Sequence, residues 1–422
     1  MKTAPWCILV LFLSMACRND PMADGRTDVS FAVSSEQAAQ SDSFVSTISV
    51  QTHLTYPSYQ NWTGIVRPRL LELGVHHVRE KMPTDATAVS RLQDLAANGV
   101  RLTGGCWPVG TNYANASHCI AAANGLGTGV VDAFDGWNEV EGKVATDWPS
   151  AWVAWETTLW QTYKGNSTWQ SRPLYANSLA QAASALQLGN RSSILDAGNL
   201  HSYPGGGGLP SDISKTWIPN WKTVADPKPL IVTETGYHTC PACTNGVGVS
   251  VAAQGKLEPR ILVEYFVHGI QRTSLYELID EGTSTTDRED HWGLLFPDGT
   301  PKPAFTAIKN LISLLADPGA SFAPGSLSYT LTGALTSTHH LLLRKRNGRS
   351  YLVFWQEVKT YDPTTEKDVN PAADAVTLKL GTAATSVKVY QPRTGTMPIQ
   401  TGSGTTIGLS VPNELIVVEI VP

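Results

Sequence analysis

The chain has 422 residues, 42% of them hydrophobic and 16% charged. That composition supplies one large globular domain and a smaller one, and it excludes a disordered protein. A formal net charge of −5 is no footprint for nucleic acid or an acidic membrane surface, so neither is expected as a partner.

In chain order, the first residues read as an export signal. Lys2 supplies the positive start, "CILVLFL" (7–13) the apolar stretch and "SMAC" (14–17) a small-residue cleavage site, so residues 1–16 are expected to be a signal peptide. The apolar stretch is too short to span a bilayer as a helix. Cys17 after Ala16 is similar to the lipid-bearing cysteine of bacterial lipoproteins, although Ser14 stands where that signal usually has Leu. A lipid anchor at Cys17 and a plain secretory cut after Ala16 both fit, and either means an extracellular, periplasmic or surface-anchored protein. Residues 17–43 are small and polar and read as a linker.

From residue 44 short apolar runs alternate with helix-like segments. The first four strand-like runs are "FVSTISVQTHL" (44–54), "VHHVREKM" (75–82), "VRLTGGCW" (100–107) and "GVVDAFDGWNE" (129–139). The next four are "PLYANSLA" (173–180), "AGNLHSYP" (197–204), "PLIVTETG" (229–236) and "RTSLYELIDEG" (272–282). Eight such units over residues 44–319 predict an α/β fold, a (β/α)₈ barrel. A doubly wound sheet would carry a Gly-rich phosphate turn after its first strand, where this chain has "QTHLTYP". After Asp317-Pro318-Gly319 the pattern becomes alternating strands with turn residues between them, "RNGR" among them, so 320–422 is expected to be a small antiparallel β-sandwich. Of the four cysteines beyond residue 17, the simplest pairing is Cys106 with Cys119 and Cys240 with Cys243. A redox pair or a zinc site is the lesser alternative for "CPAC".

Reactive groups of such a barrel project from the C-terminal ends of its strands. Strand four ends at Glu139, strand seven at Glu234, and the eighth runs into "YELIDE" (276–281). Glu139 and Glu234 would face each other across the barrel mouth, and two carboxylates across a gap are the minimal apparatus for cleaving a glycosidic bond. The 13 Trp fit the same substrate, because flat indole faces stack on sugar rings even though most Trp belong to cores.

"WNE" closing strand four and "TETG" closing strand seven resemble clan A of the glycoside hydrolases, retaining enzymes with glutamates at those two strand ends. Arg79 in "HHVREK" and "HSY" (201–203) fall where the clan places an arginine near the nucleophile and a His and a Tyr lining the site. The trailing sandwich and "HWGLLFPDGTPKPAF" (291–305) are similar to the branches of families 39, 51 and 30. The resemblance implies a carbohydrate substrate, Glu139 as general acid/base and Glu234 as nucleophile. It further implies Asn138 on the sugar 2-hydroxyl, with Arg79 and Tyr203 keeping Glu234 ionised. Trp137 is a candidate apolar neighbour of the acid, and Trp107, Trp292 and Trp62 are candidate stacking platforms. Where the clan has a Trp at the end of strand eight, this chain has Tyr276, and Trp292 is the candidate to fold back in its place.

Plainer roles compete for each residue. Glu139 could cap the next helix, with Glu141 the donor instead, and Glu234 could cap its loop. Arg79 could pair with Asp85 at the surface, and His201 could be a satisfied core histidine. His53 carries a weaker signal than these, and Glu277, Asp280 and Glu281 read as loop acids within reach of sugar hydroxyls. No metal-ligand spacing stands out, since the adjacent His76 and His77 face opposite sides of a strand. No phosphate loop or Gly-x-Ser-x-Gly turn is present, "GGGG" (205–208) reads as a flexible active-site loop, and no cofactor is expected. The alternatives to a hydrolase are a carbohydrate-binding surface protein on the same scaffold and a transglycosylase.

Overall fold

The computed structural model describes residues 29–31, 35–243 and 246–422, so the expected signal peptide and Cys17 lie outside the described residues. Eight parallel strands form the barrel: β1 Ile48–Gln51, β2 His77–Lys81, β3 Arg101–Gly105, β4 Val131–Asp135, β5 Leu174–Tyr175, β6 Gly198–His201, β7 Leu230–Thr235 and β8 Ile270–Leu275. Their ladder runs β5-β4-β3-β2-β1-β8-β7-β6, and single parallel bridges from Tyr175 to Ala197 and Leu179 to Leu200 join its two ends. Helices cover the outside, among them Trp148–Lys164, Val251–Val267 and Pro303–Leu315. Every residue of β7 is buried, as expected of a parallel strand covered on both faces.

The first strand is shorter than its apolar run predicts. Ser41–Val45 is a helical turn whose Ser41 hydroxyl donates to Leu315 O, and the strand proper starts at Ile48. Phe44 and Val45 therefore bury their side chains from a helix rather than a strand.

The C-terminal region is one curled sheet instead of two facing ones. Its main strands are β9 Tyr329–Gly333, β10 Thr338–Arg344, β11 Ser350–Gln356, β12 Asp374–Tyr390, β13 Gln400–Val411 and β14 Ile416–Val421. All seven residues of β11 are buried, which period-2 alternation explains. Tyr351, Val353 and Trp355 belong to the large core shared with the barrel, whereas Leu352 and Phe354 face a second core inside the curl.

Part of the expected linker, 17–43, is woven into this sheet. Val29–Phe31 pairs antiparallel with β9, and Ala39–Gln40 pairs parallel with β10. An open sheet edge recruits backbone N–H and C=O groups whatever the side chains are. Disulfides link Cys106 to Cys119 and Cys240 to Cys243, with Cα separations of 5.9 and 5.4 Å.

Candidate active site

Strand β4 delivers its terminal glutamate through a tightly held turn. After Asp135 the chain passes Gly136, where a Cβ would lie 2.3 Å from Asn177 Oδ1 and 2.6 Å from Asn177 N. Only glycine permits that approach. Asn177 Oδ1 then accepts a hydrogen bond from Trp137 N (2.7 Å), while Asn177 Nδ2 donates to Trp152 O (2.9 Å) and Asn177 N to the buried Glu156 (2.7 Å). Glu139 N donates to Ser178 Oγ at 3.0 Å, and Glu139 itself sits at φ +48°, a left-handed conformation uncommon for a non-glycine residue. It stands at the N-cap of the helix Val140–Lys143, yet its side chain makes no capping hydrogen bond. The carboxylate is thus turned to the barrel mouth. Glu141 is not: its Oε1 accepts from Gln181 N at 3.0 Å.

Glu234, near the end of β7, is buried and heavily partnered. Arg79 Nη1 reaches its Oε1 at 2.5 Å and Tyr203 donates its hydroxyl to Oε2 at 2.9 Å. Burial pushes this carboxyl up, but the charges of His201 and Arg79, with the hydrogen bonds from Arg79 and Tyr203, outweigh it and hold Glu234 below the ordinary carboxylate value. Arg79 also binds Asp135 Oδ2 (2.5 Å), Gln51 Oε1 (3.1 Å) and Asn138 Oδ1 (2.9 Å). It is 4% exposed, so the surface pairing with Asp85 is excluded, and Asp85 instead caps the helix Ala86–Ala97.

Between the two glutamates stands His201. Its Nδ1 lies 3.0 Å from Glu139 Oε1 and 3.4 Å from Glu234 Oε2, and one oxygen of each carboxylate lies within 4.8 Å of the other and of the ring. A buried chain sets the ring's proton. Asn199 Nδ2 donates to Asp135 Oδ1, so Asn199 Oδ1 accepts from Thr233, whose hydroxyl oxygen is left to accept from His201 Nε2 at 3.0 Å. With Nε2 donating to Thr233, Nδ1 is the ring nitrogen that faces the two glutamates.

These groups line a cavity of about 940 Å³ together with Asn138, Trp107, Tyr276 and Trp292. Trp292 does fold back from its loop. Its ring packs 4.9 Å from Tyr203, 5.9 Å from Tyr276 and 4.8 Å from His238, building an aromatic wall where the clan has one Trp. The indole nitrogens of Trp107 and Trp292 are buried without a protein partner and can donate to a bound polar group. Trp137 and Trp62 do not line the cavity. Trp137 is buried against Tyr113 because the Asn177 clamp turns its backbone, and Trp62 packs outside under Arg91. The loop 205–208 contributes Gly205 to the lining. Asp280 is tied to Lys302 at 2.7 Å, away from the cavity lining.

Sequence reading passed over Asp135, Asn177, Asn199, Thr233, Gln51, Lys81 and His238. Asp135 had a signal, being an acid inside an apolar strand that must have a partner once buried. The others are ordinary polar residues whose value comes only from what they touch.

The sequence matches no protein-family model and no curated protein. Solved structures share the fold over nearly the whole chain. A family 39 glycoside hydrolase from Bacteroides cellulosilyticus WH2 superposes with a TM-score of 0.59 at 13% identity, covering 90% of this chain and 82% of that one. A glucosidase from Croceicoccus marinus gives 0.63 at 10% identity over 92% and 97%, and a monomeric β-xylosidase from Caulobacter crescentus CB15 gives 0.57 at 16% identity over 92% and 98%. The chain therefore has the barrel-plus-sheet fold found in clan A glycoside hydrolases.

Proposed function

We propose that the protein is a retaining glycoside hydrolase acting on poly- or oligosaccharides. One observation carries the reading: two carboxylates, on different strand ends and within 4.8 Å of each other, occupy one cavity in unlike surroundings. Retaining enzymes hold their carboxyl groups about 5–5.5 Å apart, whereas inverting ones leave room for a water.

Glu234, kept ionised by Arg79 and Tyr203, attacks the anomeric carbon. Glu139, whose Oε1 lies 3.0 Å from His201 Nδ1, delivers a proton to the departing glycosidic oxygen. As a carboxylate it then takes a proton from water, which releases the sugar from Glu234. Asn138, its Oδ1 occupied by Arg79, has its amide N–H groups for the 2-hydroxyl. Trp107 and Trp292 supply aromatic faces and N–H donors. We read the protein as exported, on the leader-like residues 1–16 and on two disulfides that suit an oxidising compartment.

The test is turnover of a panel of polysaccharides and aryl glycosides by the wild type and by Glu234→Ala. Activity that falls by about a thousandfold in the variant fits loss of a covalent nucleophile. Activity that survives the substitution assigns the nucleophile elsewhere. A folded wild type inert on the whole panel favours the binding-protein alternative.

A further inference from the structure

Beside the two-glutamate centre lies a second cluster that the reaction does not use. His53 follows β1, while Glu277 and Glu281 follow β8. His53 Nε2 is 3.7 Å from Glu277 Oε2 and 3.9 Å from Glu281 Oε1, and one ligand atom from each of the three lies within 4.8 Å of the others. These separations are too long for hydrogen bonds. His53 Nε2 is buried with no partner, and so is Glu277 Oε1, on a side chain that is 0% exposed. Tyr59 donates to the other Glu277 oxygen at 2.9 Å. Among the described residues no Lys or Arg forms an ion pair with either carboxylate, because the nearby Lys302 is committed to Asp280. The result is an imidazole nitrogen and two carboxyl groups gathered in one place, with no paired cation and two unpartnered buried polar atoms.

A divalent cation meets each of these conditions. Two ligands held about 2.0–2.2 Å from one ion sit roughly 3.3–3.8 Å apart at tetrahedral to trigonal angles, and the two distances from His53 Nε2, 3.7 and 3.9 Å, lie at or just beyond the upper end of that span. An imidazole with two carboxylates suits a first-row transition ion such as Zn²⁺ more than an all-oxygen ion such as Mg²⁺ or Ca²⁺. We propose that His53, Glu277 and Glu281 form a binding site for a divalent transition-metal ion. The ion ties the loop after β1 to the loop after β8. That second loop carries Arg288, Glu289 and Trp292 to the cavity, so the ion braces a wall of the pocket and takes no part in bond cleavage. The sequence could not signal the site, because His53 and Glu277 are far apart in the chain and meet only through β1–β8 pairing.

The experiment is calorimetric titration of the chelator-stripped, dialysed full-length protein with Zn²⁺ alone. We expect one equivalent bound with a micromolar dissociation constant, and a rise in melting temperature on loading. Glu281→Gln, at a partly exposed position, should weaken binding at least tenfold. Glu139→Gln, which alters the other His–carboxylate cluster, should leave it unchanged. His53→Asn is the second variant, should Glu281→Gln fail to fold by circular dichroism. No saturable binding overturns the proposal, and so does binding that persists in the folded His53 or Glu281 variant or is lost only in Glu139→Gln. None of these readouts depends on glycosidase activity.

Discussion

At the scale of single residues, Arg79 organises more of the candidate site than either glutamate. Its guanidinium holds Glu234, Asp135, Gln51 and Asn138 at once, and a planar five-donor fork does this where lysine could not. Arg79→Met removes the charge that opposes burial at Glu234, so the carboxyl pKa must rise. In the proposed mechanism Glu234 acts ionised, so the acid limb of the kcat/KM profile should move to higher pH by about one unit or more. A profile that drops in height without moving would deny Arg79 this electrostatic role. Tyr203→Phe removes one hydrogen bond and no charge. Its limb should move the same way by less, with kcat reduced about 10-fold or more.

At the scale of elements, the end of β4 decides whether Glu139 reaches the cavity. The turn depends on the contact between Gly136 and Asn177 and on the Ser178 hydroxyl beneath Glu139 N. In Gly136→Ala the new methyl meets backbone atoms of Asn177 at 2.6–2.7 Å, which no side-chain rotation relieves. We expect a loss of about 1–3 kcal/mol in stability by denaturant titration and a fall in kcat from the displaced acid. Asn177→Ala keeps those backbone atoms in place and leaves Trp137 N without its acceptor in a buried turn, so a similar stability loss is expected. If Asn177→Ala kept full stability and activity, the clamp would be dispensable. Asn138, Glu139 and Glu234 were legible from the sequence because strand ends are where a parallel barrel exposes side chains. The Asn177 clamp was not, since nothing distinguishes that asparagine until β5 lies beside β4.

At the scale of the molecule, barrel and sheet share a core and a buried ionic joint. Arg260, in the helix Val251–Val267, is fully buried and binds Glu357 through Nε (3.0 Å) and Nη2 (2.6 Å), with Val358 O, Thr360 Oγ1 and Asn413 O as further acceptors across the interface. Arg260→Ala strands Glu357 in the interface, and about 3–5 kcal/mol of stability should go with it. Two independent melting transitions in the wild type would contradict that shared core. The barrel also buries acids that prefer to be neutral. Burial pushes Glu80 up to about 7 and Glu258 up to about 8, despite hydrogen bonds that lower both. Between the ordinary carboxylate value and those values the folded chain holds more protons than the unfolded one. The contribution of these two acids to stability must therefore fall as pH rises from about 5 to 8. Melting temperature over that range measures it, and Glu258→Gln should flatten the fall.

The sequence by itself determined the barrel, the trailing strands and the strand-end placing of the two glutamates that line one cavity. Each of those is written in local periodicity, in turn residues or in an acid standing where an apolar strand stops. Only the tertiary structure decided the rest. It turned Trp137 into the core, brought Trp292 back beside Tyr276 and drew 29–31 and 39–40 into the C-terminal sheet. It also assembled the Asp135–Asn199–Thr233–His201 chain and the cluster of His53, Glu277 and Glu281. The reason is physical. A strand's period says which side chains point inward, but what they meet there depends on neighbours that the closure of the barrel supplies.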